Sequence, residues 1–247
     1  MNPFSLKDKT ILVTGASSGI GRAIAIVCSQ MGVNLILTGR NEDKLKDTLS
    51  RCEGTNHNYL LADLNKKEEI ESLVEQLPKL DGFVNSAGIV KTLLLTFMEL
   101  NDINEILQTN SISVMNLTRL LIINKKFNKE SSIVYISSIN GNNCSVIGNS
   151  AYSASKAMLN GFMKAIALEL ASKKIRVNCV NPAMIETDIL KNSFVDAEDI
   201  KKDKLKYPLK RYGKPEEVAY AVVYLLSDAA QWITGSSLVI DGGYTIQ

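Results

Sequence analysis

The sequence predicts one α/β domain built on a doubly wound parallel sheet of about seven strands, with helices on both faces. Short apolar runs alternate with stretches in which apolar residues recur three and four positions apart, the rhythm of βαβ units. A glycine-rich turn, Gly15-Ala16-Ser17-Ser18-Gly19-Ile20-Gly21, joins the first apolar run to the first helical stretch. The 247 residues are 45% hydrophobic and show no repeat or linker, so the expectation is a single domain over 1–247.

In chain order, Ile11-Leu12-Val13 has the continuous apolar character of a strand covered on both faces, and Ile20, Ala23, Ile24 and Val27 follow at helical spacing. Leu35 to Thr38 is the second strand. Asn41 caps the next helix, with Glu42 and Asp43 in its first turn and Leu45 and Leu49 on one face. Tyr59-Leu60-Leu61 is the third strand, and Ile70, Leu73, Val74 and Leu77 mark the helix that ends before Pro78. Phe83-Val84 opens the fourth strand. Ile103 to Ile123 reads as one long helix, Ile133 to Ile136 as the fifth strand, and Ala151 to Ala171 as a second long helix. Ile175 to Val180 is the sixth strand, Pro215 starts a helix as a first-turn proline, and Leu238-Val239-Ile240 is the last strand. In such a sheet, ligands bind beyond the carboxyl ends of the strands.

Composition narrows the function. The net charge of +2, from 28 basic and 26 acidic residues, points to neither nucleic acid nor an anionic membrane. No apolar run reaches the roughly 18 residues of a membrane span, and Met1 to Lys9 lacks the apolar core of a signal peptide, so a soluble cytoplasmic protein is expected. Cys28, Cys52, Cys144 and Cys179 have neither zinc-site spacing nor disulfide-scaffold density and read as reduced and structural; no metal site is expected. His57, the single histidine, reads as a solvated surface residue.

The residues at the strand ends carry chemistry. Glycines at 15, 19 and 21 allow a tight turn and a close approach to a ligand, and the unpaired N–H groups of the helix that follows form an anion site suited to a pyrophosphate. Arg40 follows the second strand, where a dinucleotide's adenosine ribose would sit. An arginine there pairs with the 2′-phosphate of NADP, whereas an acidic residue would bind the hydroxyl of NAD. Tyr152 and Lys156 lie one helical turn apart on one face, an arrangement able to do acid/base chemistry, with the ammonium drawing the phenol down toward neutral pH. Ser137-Ser138 ends the fifth strand at the same edge.

Thr14 to Gly21, Asn85-Ser86-Ala87-Gly88, Ile136 to Gly141 followed by Tyr152-x-x-x-Lys156, Gly213 to Val218, and Ile233 to Gly243 together resemble the motifs of the short-chain dehydrogenase/reductase family, from Lys9 to Gly243. The departures are Ser86 for the second asparagine of the Asn-Asn-Ala-Gly turn, Ala183 where glycine is usual, and a Ser138-to-Tyr152 spacing about one residue longer. The resemblance implies a Rossmann-type fold and a nicotinamide coenzyme, NADPH before NAD. It implies coenzyme contacts from Gly15, Ser17, Ser18, Gly19, Ile20, Gly21, Arg40, Asp63, Leu64, Asn85, Ala87, Gly88, Pro182, Ile185 and Thr187, and from Tyr152 and Lys156. Tyr152 is then the proton donor, Ser138 (with Ser137 as the alternative) binds the carbonyl oxygen, Lys156 holds the ribose, and Asn110 maintains a water relay behind the lysine.

Within that family the resemblance is nearest to 3-oxoacyl-[acyl-carrier-protein] reductases. It implies a carbonyl substrate, carried on an acidic protein in those enzymes, and a homotetramer paired through the helices of Asn110 and Tyr152. Lys125, Lys126, Lys129, Lys173, Lys174 and Arg176 are the expected carrier contacts. Ile89-Val90-Lys91-Thr92 departs from the Ile-Thr-Arg-Asp usual in those reductases, which leaves sugar, steroid or small-ketone reduction open. A nucleotide-sensing regulator or scaffold is the alternative of another class. Leu93, Leu94, Leu95, Phe97, Met98, Ile185, Ile189, Leu190 and Phe194 imply an apolar pocket under a small helical lid at about 184–208.

Overall fold

The computed structural model describes residues 2–187 and 196–247. Seven parallel strands form one sheet in the order β3-β2-β1-β4-β5-β6-β7, with β1 Thr10–Thr14, β2 Asn34–Gly39, β3 Asn58–Leu61, β4 Leu80–Asn85, β5 Phe127–Ile136, β6 Arg176–Pro182 and β7 Ser237–Ile240. The order reverses between β1 and β4, so their carboxyl ends flank a crevice.

Successive strand residues serve opposite faces. Ile11, Val13, Val134, Ile136 and Val180 pack with α1 (Gly19–Ser29) and α8 (Pro215–Leu226) on one side. Leu12, Ile133, Tyr135, Val177 and Cys179 pack with α3 (Lys67–Gln76), α5 (Ser113–Ile123) and α6 (Ser150–Leu170) on the other. Both faces are covered, which is why the strands read as unbroken apolar runs. Phe83 meets Tyr135 edge to face at 6.2 Å, and the buried Tyr135 hydroxyl is satisfied by Thr118. At the amino edge the Asp81 carboxylate accepts from Thr10 N–H at 2.8 Å and from Asn128 Nδ2 at 2.7 Å, tying β1, β4 and β5 together.

Three local expectations are corrected. The helix expected over 103–123 is α4 (Leu100–Leu107), a π turn (Gln108–Ile112) and then α5. Its widened turn coincides with polar side chains bonded to neighbouring segments instead of facing water: Asn110 to the loop after β4, and Ser111 Oγ to Ser155 O at 2.7 Å. Strand β5 begins six residues before the expected Ile133, because Phe127 pairs with Leu80 and the polar stretch 128–131 is an irregularity before pairing resumes at Ser132. His57 is half-buried instead of solvated. Its Nδ1 accepts from Leu35 N–H at 3.2 Å while Nε2 meets Glu53 O at 2.7 Å, so it secures the start of β2.

All four cysteines are free. Of the expected lid, 188–195, with Ile189, Leu190 and Phe194, lie outside the described residues. Helix α7 (Ala197–Lys204) is capped by Asp196 and held to the segment after β6 by Lys204–Glu186 at 2.6 Å. Helix α2 (Glu42–Ser50) is capped by the Asn41 side chain, as its sequence predicts.

The backbone closes tightly on itself at the first turn, where a Cβ on Gly21 would stand 2.2 Å from Gly15 O. Gly161 in α6 has open space at the same test. Gly21→Ala is expected to cost more than about 2 kcal/mol in urea unfolding, whereas Gly161→Ala should be neutral or gain up to about 1 kcal/mol from helix propensity. Equal effects would refute the crowding argument.

Candidate active site

The carboxyl ends of β1 and β4 are stitched directly. Thr14 Oγ1 donates to Asn85 Oδ1 at 2.7 Å and accepts from Ala87 N–H at 3.3 Å. Gly15 follows with φ +65°, and a Cβ there would lie 2.7 Å from Ala87 N. The loop therefore lies against the 86–88 turn, and α1 starts at its end. Ser18, the residue before α1, makes no side-chain cap and the first turn holds no acid, so the helix's opening N–H groups face outward.

Beyond these strand ends runs a cleft of about 1200 Å³. That is larger than an ordinary small-ligand pocket and matches a dinucleotide with a substrate beside it. Gly15, Ser17, Ser18, Gly19, Ile20 and Gly21 line one end, with exposed Arg40 and the pair Asp63 and Leu64 at its far side. Ala87, Gly88, Pro182, Ile185 and Thr187 line the middle, and Ser138, Tyr152 and Lys156 the inner wall.

Two expected site residues stand behind that surface. Asn85 is fully buried and braces the β1–β4 stitch, while Ser86 lines the cleft beside it. Asn110 is also fully buried. Its Oδ1 accepts from Ile89 N–H at 2.7 Å, and its Nδ2 donates to Ile89 O at 2.9 Å and Ser155 Oγ at 3.0 Å. The amide thus has both its donors engaged by protein, and its side chain clamps the loop after β4.

Lys156 is 5% exposed. Its ammonium donates to Ile136 O at 2.9 Å and lies 5.7 Å from the Tyr152 ring centre. Burial lowers its pKa to about 8. Tyr152 departs from the sequence expectation: burial raises the phenol, and the hydrogen bond with Ser138 opposes that rise. Desolvation is the larger cause, and a protonated phenol is the form an acid requires. Ser138 Oγ accepts from Asn140 N–H at 3.1 Å, which aims it at the cleft. Ser137 points inward, donating to Lys156 O at 3.0 Å and accepting from Asn160 Nδ2 at 2.8 Å, which removes it as the alternative for the carbonyl site.

The expected apolar wall is different in kind. Leu94, Leu95 and Phe97 are exposed and do not line the cleft; Thr92, Asn149, Tyr207, Tyr212 and Tyr244 do. Their only signal in the sequence was nearness to recognised motifs. The expected carrier contacts lie at the amino ends of β5 and β6, where their sequence positions put them. Lys126 donates to Glu75 O and Leu77 O, Lys174 pairs with Glu130, and Arg176 bonds Ser227 O, all at the amino edge, about 20 Å from the carboxyl edge at roughly 3.3 Å per residue of β6. Among the described residues no cluster could hold a metal, and no helix is long and apolar enough to cross a membrane.

A family model described as enoyl-(acyl carrier protein) reductase matches residues 15–245. The 3-oxoacyl-[acyl-carrier-protein] reductase of Rickettsia felis is 38% identical over 239 residues, 96% of this chain and 97% of that protein. The chain belongs to the short-chain dehydrogenase/reductase family. The corresponding enzyme of Thermotoga maritima is 34% identical over 250 residues, covering 98% of this chain and 99% of its own. Among solved structures, a short-chain alcohol dehydrogenase described for Sinorhizobium meliloti 1021 superposes with TM-score 0.91 at 31% identity over 98% of both chains. A tryptophan variant of the actinorhodin polyketide ketoreductase, with NADPH, gives 0.87 at 30% identity, over 97% of this chain and 98% of that one. Membership makes this chain an NAD(P)-dependent oxidoreductase acting on CH–OH or C=O groups.

The buried ammonium has a consequence for stability. The folded-state pKa of Lys156, about 8, lies below its ordinary 10.5, so above pH 8 the unfolded chain binds the extra proton and the folded state gains with rising pH. Between pH 8 and 10 the stability of the parent relative to Lys156→Met should rise by up to about 1.4 kcal/mol per pH unit. Parallel urea-unfolding curves across that range would count against it.

Proposed function

We propose that the protein is an NADPH-dependent reductase of the ketone in a 3-oxoacyl thioester, with Tyr152 as proton donor. The observation that carries this reading is that Ser138, Tyr152 and a nearly dry Lys156 line the inner wall of one cleft, the Lys156 nitrogen 5.7 Å from the Tyr152 ring centre. The coenzyme fits the cradle. Gly21 leaves no room for a side chain, the N–H groups of α1 open on the cleft, and Arg40 makes no hydrogen bond or ion pair to another described residue.

When bound, the nicotinamide supplies a hydride to the carbonyl carbon. Ser138 holds the carbonyl oxygen by hydrogen bond. Tyr152, kept protonated by burial, gives its proton to the oxygen as negative charge develops there. Lys156 holds the ribose hydroxyls and the electrostatic balance of the phenol. Asn110 fixes the loop at Ile89, and Asn85 fixes the turn whose Ala87 and Gly88 face the coenzyme.

The substrate class is taken from the 3-oxoacyl-[acyl-carrier-protein] reductases to which the chain is similar. Lys202 and Lys206, each ion-paired with a neighbouring carboxylate, line this chain's own cleft mouth, and these together with the amino-edge group are the cations an acidic carrier would meet. A homotetramer is supported by exposed apolar residues on the outer faces of α5 (Ile112 beside it and Ile123) and α6 (Met158, Leu168). A cytoplasmic location and a closing lid over the substrate complete the reading.

Two variants test it. Arg40→Asp removes the cationic fork for the 2′-phosphate and should reverse a preference for NADPH over NADH, measured by fluorescence titration; equal affinities in the parent would refute the assignment. Tyr152→Phe should lower acetoacetyl-thioester reduction by about 10²–10⁴-fold while coenzyme binding persists, and retention of more than about a tenth of the rate would remove Tyr152 as the acid.

A further inference from the structure

One polar group at the inner end of the cleft has no part in the roles above. Asn149 immediately precedes α6, three residues before Tyr152, so its Cβ stands one helical turn, about 5–6 Å, from that of the tyrosine. An asparagine in this place ordinarily caps its helix through the side chain. Here it makes no cap. Its Oδ1 instead accepts from Thr92 Oγ1 at 3.2 Å, on the loop after β4, and the same two loops are joined by Leu93 N–H to Gly148 O at 2.9 Å. Both Thr92 and Asn149 line the cleft. With its oxygen held by Thr92, the amide's orientation is set, and its Nδ2 has no protein partner among the described residues.

We infer that Asn149, oriented by Thr92, is a specificity-determining residue that donates a hydrogen bond to the second carbonyl of a 1,3-dicarbonyl substrate, the thioester oxygen of a 3-oxoacyl group. The inference rests on the reductase reading. In such a substrate one methylene separates the two carbonyls. With the ketone oxygen at Ser138 and Tyr152, the second oxygen falls within a few ångströms of it, which is the reach of a donor one helical turn away. The amide carries no charge, so it positions the substrate without competing for the proton. A site that spends a donor on a substrate oxygen disfavours the analogue lacking that oxygen, because the donor is then left unpaired.

The test compares kcat/KM for an acetoacetyl thioester of a small thiol with that for a matched monoketone, in which a methylene replaces the thioester carbonyl. The parent is expected to favour the dicarbonyl at least about tenfold, the value of one good hydrogen bond. Asn149→Leu should lower the ratio about tenfold, mostly through KM, and Thr92→Val should lower it about threefold. NADPH titration reports whether each variant is folded, and Asn149→Asp, of the same shape but without the donor, carries the test if the leucine variant is not. An unchanged ratio in a folded Asn149 variant overturns the inference and leaves the reductase reading standing. If the parent reduces the thioester alone, a tenfold fall in Asn149→Leu supports the inference and a smaller one overturns it. A parent that reduces neither ketone overturns both.

Discussion

An ammonium held almost out of water is the constraint around which this site is built. Lys156 has one protein acceptor among the described residues, Ile136 O, and its buried charge is opposed by desolvation strongly enough to bring its pKa to about 8. A flexible lysine would relieve that cost by turning to solvent. It is prevented from doing so by the packing of its helix. Asn160, one turn along α6, donates to Lys156 O and to Ser137 Oγ, and accepts from Ser237 Oγ of β7. On the other side, Ser155 donates to Tyr152 O and accepts from Asn110, and a Cβ on Gly88 would stand 3.5 Å from the Lys156 nitrogen. Residues from the turn after β4, from β5, β7 and α6, and from the π turn therefore converge to keep one charge in place, and the stability forgone is the condition for a reactive pair beside a dry wall.

The two edges of the sheet are used differently. At the amino edge, Asp81 binds Thr10 and Asn128, Lys126 binds the carbonyls of 75 and 77, and Arg176 binds that of Ser227. These groups satisfy one another and close that end of the fold. At the carboxyl edge, helix N–H groups, the Ser138 hydroxyl and the Arg40 guanidinium face open space. Parallel strands put all the helix N-termini of right-handed crossovers at one edge, so the division follows from topology.

Much of this was legible in the sequence because its signals are local. Strand runs such as Ile11–Val13 declare burial on both faces, and the glycine turn, Arg40 and the Tyr152–Lys156 spacing each occupy a few consecutive residues. Family motifs named Asn85 and Asn110 as site residues, but a motif cannot tell a group that touches a ligand from one that braces the segment beside it. Both asparagines brace neighbouring segments, with their amides bonded to Thr14 and Ala87 in one case and Ile89 and Ser155 in the other. The π turn was hidden because the apolar spacing of 103–123 is that of an ordinary helix. Its departure depends on partners 21 and 44 residues away along the chain, at Ile89 and Ser155. Likewise, the spacing of Tyr152 and Lys156 suggested an ammonium acting on a phenol, while the effect of burial on both groups required the fold.

The substrate end was the least legible part, for the same reason carried further. Tyr207 meets Tyr212 edge to face at 5.5 Å and Tyr244 at 4.9 Å, joining the segment after α7 to the carboxyl terminus. Three tyrosines would make a polar wall if their hydroxyls were free. The Tyr212 hydroxyl is taken by Asp203 at 2.8 Å, and Tyr207 is buried deeply enough that its phenol is pushed up to about 12. These two therefore present ring surface, so the wall acts toward a ligand much as the expected leucines would have. Against such a surface the few remaining donors gain weight, because each stands out from an otherwise apolar lining and is worth more in a partly dry cleft. The coenzyme end is recognised by backbone and charge within single loops, whereas the substrate end is assembled by contacts between loops distant in sequence. Chains that share every local motif of this fold can consequently share a coenzyme cradle and differ in what they reduce.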